Sequence, residues 1–129
     1  MDPVVHFEMP YEDRDRAATF YESVFGWKTQ KLGEEMGNYL VVTTAEKDVK
    51  GGAAAGAIGG GFFPKRPGSP QHPSVVIGVE DIQRSILKVR EAGGKVLGEL
   101  MTIPGIGRYV PFLDTEGNQV GMLQPDAAM

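Results

Sequence analysis

From Val4 the chain alternates, with Val5, Phe7 and Met9 on one face of an extended segment and Val4, His6 and Glu8 on the other. The first set is wholly apolar and suits packing beneath a helix. The second carries two polar groups and faces solvent or a cavity. The period then changes from two to three or four, with apolar residues at Ala17, Phe20, Tyr21, Val24 and Phe25. That spacing predicts a helix with these five side chains on its buried face. Asp13 is placed to cap its start and Gly26 to stop it in the left-handed conformation.

Extended segments are predicted at 27–31 and 38–44, separated by a turn at 33–37 and followed by a polar connection from Ala45 to Gly52. The small-residue run from Ala53 to Phe63 has poor strand propensity. A strand over 56–62 is nevertheless expected, because a second copy of the pattern requires one there. From Phe63 to Pro73, prolines at 64, 67, 70 and 73 predict a stiff, extended connector of polyproline character.

The second copy begins at Ser74, and Glu12-Asp13-x-x-Arg16 reappears 68 residues later as Glu80-Asp81-x-x-Arg84. This sets His6 opposite Ser74. Ser74–Val79 reads as a strand, Asp81 as a cap, and Ile82, Ile86, Val89 and Ala92 as the buried face of a second helix ended by Gly93-Gly94. Lys95–Glu99 is predicted as a strand and 101–107 as a loop. Residues 107–112 then echo 37–42, and Asp114–Asn118 reads as a hairpin turn. The last strand, 119–124, echoes the segment that begins at Ala57. Each copy is therefore strand, helix, strand, strand, strand, an α+β organisation in which one sheet face of each copy is left to be covered.

Composition narrows the function classes. The 129 residues suffice for one domain with a core, and the absence of cysteine excludes disulfides, thiol nucleophiles and thiolate metal sites. A net charge of −4 without a Lys/Arg stripe argues against nucleic acid. Neither a leader sequence nor an apolar run near the ~20 residues of a membrane span is evident, so a cytoplasmic location without membrane association is expected.

Several residues carry candidate chemistry. His6 with Glu8 is the most chemical pair: a carboxylate beside an imidazole raises its pKa and can orient it as a base, or both can simply line a wet surface. Tyr39, Arg108 and Tyr109 sit at matching places in the two copies and could contact an anionic or aromatic ligand, or pack in the core. The glycines of 51–61 lack the Gly-Lys-Ser/Thr ending of a phosphate loop, and better suit the close approach of a second backbone or a bulky ligand. Trp27 is read as a packing residue.

Together, His6, Phe20-Tyr21-x-x-Val24-Phe25-Gly26-Trp27, Val79-Glu80-Asp81 and Asp114-x-Glu116-Gly117-Asn118 resemble the vicinal oxygen chelate superfamily of glyoxalase I, bleomycin-resistance proteins and extradiol dioxygenases. The resemblance implies two βαβββ modules forming a cupped half-barrel sheet with helices outside. It implies a single glyoxalase-like domain over 1–129 (module 1 over 1–63, linker 64–73, module 2 over 74–125) and a homodimer. Metal-dependent members hold a divalent ion, and carried over by position its ligands fall on His6, Gly59, Ser74 and Gly121. Only His6 is a strong ligand, so no metal and no cofactor are expected. A rebuilt cluster of His6, Glu8 and His72 is the alternative. The function expected is binding of a small organic molecule, with His6, Glu8, Tyr39, Ser74, Arg108 and Tyr109 as the ligand-binding residues. A lyase-like enzyme related to lactoylglutathione lyase and using His6 and Glu8, or a structural dimer without ligand, are the other readings.

Overall fold

The structure is a computed structural model that describes residues 1–45 and 57–126. It divides into two compact units, one comprising His6–Pro73 and the other Met1–Val5 with Ser74–Met129.

The His6–Pro73 unit contains β1 (Val4–Tyr11, from His6 onward), α1 (Arg14–Phe25), β2 (Lys28–Lys31), a 3-10 turn at Glu34–Met36, β3 (Leu40–Thr43) and β4 (Gly59–Pro64). Its strands lie in the order β2-β3-β4-β1, with β1 and β4 parallel and the other neighbours antiparallel. Asp13 caps α1 through its carboxylate, which accepts the Arg16 amide at 3.0 Å, and Gly26 closes the helix at φ 72°. Both signals were legible in the chain. The alternation in β1 also holds: Phe7 and Met9 pack with Leu40, Val42 and Phe62 against Ala17, Ala18 and Tyr21 of α1.

The helical stripe behaves differently from its expectation. Of the five side chains assigned to the buried face, Phe20, Val24 and Phe25 are 52%, 56% and 60% exposed. Ala18 is the one buried residue of α1. An apolar arc running from Ala17 to Phe25 is wider than the strip of sheet it covers, so its outer edge stays in water. Those outer rings pack on one another, Phe20 edge-on to Tyr21 at 5.0 Å and Tyr21 stacked on Trp27 at 4.6 Å. Trp27 also lies 5.7 Å from Phe7, as a packing residue would.

β4 begins later than the internal repeat suggested. It runs over Gly59–Pro64 rather than 56–62, and Gly56 lies outside the described residues, as does most of the connection from Ala45 to Gly52. Its final proline is tolerated because pairing with β1 ends there, at Tyr11↔Pro64. The proline-spaced connector is not a uniform polyproline rod. It bends at Arg66–Ser69, where the Ser69 amide donates to the Arg66 carbonyl at 3.0 Å and Gly68 takes φ 86°. Three-residue proline spacing leaves the intervening glycine and serine free to turn.

The second unit contains β5 (Ser74–Gly78), α2 (Ile82–Glu91), β6 (Lys95–Val96), β7 (Met101–Ile103), β8 (Gly107–Leu113) and β9 (Gln119–Pro125). Its order is β5-β9-β8-β6, and β7 also pairs with β8. Asp81 repeats the cap, accepting the Arg84 amide at 3.1 Å. Ile82, Ile86 and Val89 pack with Val79, Val110 and Met122, as expected, whereas Ala92 is exposed. The segment predicted as a loop at 101–107 holds a strand, β7, whose Met101 opposes Tyr109. Conversely the strand predicted at 95–99 stops at Val96, because Gly98 adopts φ 76° and breaks the edge into two short pieces. At the Asp114–Asn118 turn, the Asp114 carboxylate accepts the Asn118 side chain (3.0 Å) and amide (2.9 Å) and the Glu116 amide (2.8 Å). These bonds, chiefly those of Asn118, hold its carboxyl below the usual carboxylate range.

The first five residues belong with this second unit. The Gly78 amide donates to the Pro3 carbonyl at 2.8 Å, and a Cβ at Gly78 would lie 2.8 Å from a methyl of Val5.

Candidate functional site

On the side of β1 turned away from α1, His6 and Glu8 stand two residues apart and both are half-buried. Strand pairing sets His6 beside Gly59 and Glu8 beside Gly61. The Glu8 carboxylate accepts the Tyr39 hydroxyl at 2.9 Å. The Tyr39 ring lies over Gly61 so closely that a Cβ built there would be 2.0 Å from the ring. The sequence therefore brings together three of its candidates, His6, Glu8 and Tyr39, on a floor of two glycines.

His6 departs from its expected titration. Burial lowers its pKa, and the Glu8 carboxylate only partly opposes the shift. The carboxylate was expected to raise it. Desolvation of the imidazolium outweighs the neighbouring charge, so this imidazole is held neutral at neutral pH.

The second unit repeats the arrangement without its ionisable half. Val76, not Ser74, opposes Gly121, and the Tyr109 ring lies 2.6 Å from where a Gly121 Cβ would stand. Ser74 is half-buried at the start of β5. Arg108 lies on the α2 side of its strand and Tyr109 on the other. Its guanidinium donates to the Gln124 side-chain oxygen at 3.1 Å, which also accepts the Ile82 amide at 2.9 Å and so ties β8 to the start of α2.

The register revises one equivalence. Glu8↔Gly61 in the first unit matches Val76↔Gly121 in the second, so the counterpart of Gly121 is Gly61 rather than Gly59. Aligning the copies on their glycines alone sets the repeat two residues out of phase, because β4 has three consecutive glycines and β9 has one. The tyrosines at 39 and 109 give the right phase, since each covers its own glycine. Gly61 and Gln124 were the residues that sequence reading overlooked.

The divalent ion implied by the resemblance does not fit these residues. A carboxylate ligand at Gly61 or Gly121 would occupy the space of a tyrosine ring. His72 is exposed in the connector, and among the described residues no three His, Asp or Glu side chains gather as a metal would require. Among the described residues no helix is long and apolar enough to cross a membrane.

Two units of the βαβββ plan, the second with its edge strand broken into β6 and β7, each with a capped helix and a tyrosine ring laid over a strand glycine, define the class. Residues 4–122 match the Glyoxalase/Bleomycin resistance protein/Dioxygenase superfamily, and the chain belongs to it. Among relatives, it is 31% identical over 119 residues to "Putative glyoxylase CFP32" of Mycobacterium tuberculosis and Mycobacterium bovis, covering 92% of this chain. The chain spans only 42% of the length of those two relatives. It is also 31% identical over 115 residues to a glyoxylase-like domain-containing protein of Didymella fabae, covering 86% of this chain and 84% of that one. Among solved structures, methylmalonyl-CoA epimerase from Mycobacterium tuberculosis shares the fold with a TM-score of 0.70, over 97% of this chain and 89% of that one, at 14% identity.

Proposed function

We propose that this chain binds a small organic molecule on the face that carries His6, Glu8 and Tyr39, and that it does so without a metal. The observation that supports this reading is the tyrosine ring lying on glycine where a ligating carboxylate would otherwise stand. A ring with a hydroxyl fixed by Glu8 offers a flat apolar contact beside a polar edge, the usual make-up of a small-molecule site. The neutral imidazole of His6 adds a donor and an acceptor without a net charge. A homodimer of single glyoxalase-like domains remains part of the reading.

The test combines metal titration and ligand screening on chelator-treated protein. Nickel, zinc and manganese are expected to give no one-to-one binding isotherm, while thermal-shift hits from an organic library should weaken in Tyr39→Ala. A stoichiometric, micromolar metal would overturn the metal-free reading.

The lowered pKa of His6 favours one second reading, an enzyme that abstracts a proton beside a carbonyl. In that step the substrate C–H bond breaks, the proton passes to the His6 imidazole, and the electron pair moves onto the carbonyl as an enolate. Glu8 then stabilises the imidazolium. Because the structural relative is named for methylmalonyl-CoA, acyl-CoA thioesters belong in the panel beside methylglyoxal with glutathione. Deuterium uptake from solvent that is lost in His6→Gln would establish this reading, and no uptake by any of them would leave binding alone.

A further inference from the structure

We propose that a second site, on the α1 side of the His6–Pro73 unit, takes a flat aromatic molecule bearing one anionic group. A cavity of about 540 Å³ opens there between the end of β1, the first turns of α1 and the connector after β4. That volume lies within the roughly 300–1,000 Å³ of small-molecule sites and is too small for a folded partner.

Its walls are the rings of Tyr11, Phe20, Tyr21 and Phe62. Tyr21 stands 5.3 Å from Phe62 and 5.0 Å from Phe20, so the rings form a continuous series from the core outward. Phe20 remains 52% exposed at the outer end of the series, an apolar surface that a stacked ligand ring would cover. The Tyr11 hydroxyl is already committed to the Asn38 carbonyl at 2.8 Å, so Tyr11 offers its ring.

The rim supplies the charge. Glu12 divides one carboxylate between two cations, Lys65 at 3.5 Å and Arg16 at 3.9 Å. Both separations are longer than a close charge-assisted hydrogen bond, which leaves donors on each cation for a second anion. Asp13, the remaining acid of the lining, turns its carboxylate onto the Arg16 amide as the helix cap. The position of Lys65 is set by its own backbone, whose amide donates to the Tyr11 carbonyl at 2.8 Å. An aromatic carboxylate would thus place its ring against Phe20 and Tyr21 and its charge on the donors of Arg16 and Lys65 that are turned away from Glu12.

This site is independent of the His6 face and is tested separately, by following naphthoate titration in amide NMR spectra. The expected result is saturable binding with shifts confined to residues near 9–21 and 62–73. Lys65→Gln and Arg16→Gln should each weaken it roughly threefold to fivefold, the scale of exposed charge pairs. Phe20→Ala, at a position half in water, should weaken it without unfolding the chain. Neutral naphthalenemethanol should bind less tightly than naphthoate. The absence of saturation, shifts centred on His6, Glu8 and Tyr39, or affinity unchanged in both charge variants would each overturn the proposal.

Discussion

The two units share a plan and differ in what they place on it. Each has a capped helix, and each lays a tyrosine ring over a strand glycine. Yet where the first presents His6 and Glu8, the second presents Ser74 and Val76, the latter fully buried. The duplicated plan carries the fold, and the candidate site residues stand where the two copies diverge. On this face of β1 and β5 the first copy has two ionisable side chains and the second has none, so a functional test that treats the copies as equivalent would miss the asymmetry.

The largest effect expected from breaking this comparison is at Gly60. A Cβ there would meet the Phe7 carbonyl at 2.2 Å, a backbone atom that cannot swing aside. Its counterpart in the second unit is Val120, which already carries a side chain. Gly60→Ala should cost about 3 kcal/mol, the upper part of the overpacking range, in urea denaturation. Val120→Ala should not show a clash of that kind. A loss well under about 1 kcal/mol in Gly60→Ala would show that the Phe7 carbonyl leaves room for a methyl group.

Next come the caps. Asp13→Ala and Asp81→Ala should each cost about 1 kcal/mol, because each removes one carboxylate from one first-turn amide. Here the copies should behave alike, and a difference well beyond the error would show that one helix depends on its cap more than the other.

A smaller effect separates the copies by pH. With its folded-state pKa lowered below the usual 6.5, His6 binds a proton more readily in the unfolded chain. The stability it confers is complete above that unfolded value and is lost as pH falls through the folded one. Denaturation midpoints should therefore decline as pH falls from about 7 to about 5, and His6→Gln should flatten that decline. The carboxyls of Asp15 and Asp114 are both lowered and titrate in a more acidic window. The smallest effect is at Glu8: Glu8→Gln removes the charge that supports the imidazolium, so the His6 midpoint read by NMR should fall further. A rise would sink the account of burial opposed by Glu8.

Much of this fold was legible because its signals are local. Asp13, Gly26, Asp81 and the Asp114 turn announce themselves through backbone chemistry that needs no partner. What was not legible depends on register and on area. Glycine-rich β4 has too little side-chain identity to fix its own phase, so Gly59 was matched where Gly61 belongs. The width of an apolar stripe on α1 does not reveal how much sheet lies beneath it, so the outer rings read as core. The identities of His6, Glu8 and Tyr39 were evident from the chain, but the bond from Tyr39 to Glu8 joins residues 31 apart, and no periodicity reports it.

The membership of the opening residues carries a practical lesson for anyone dividing this polypeptide. A gene cut after Pro73 would yield a trailing fragment missing Pro3, the acceptor for the Gly78 amide, and Val5, the side chain seated beside that glycine. The leading fragment would retain five amino acids whose proper neighbours had been taken away. Reassembly from such pieces should therefore improve when the second begins with a grafted copy of residues 1–5, and a split of this kind without the graft is the wrong way to ask whether one half can live alone.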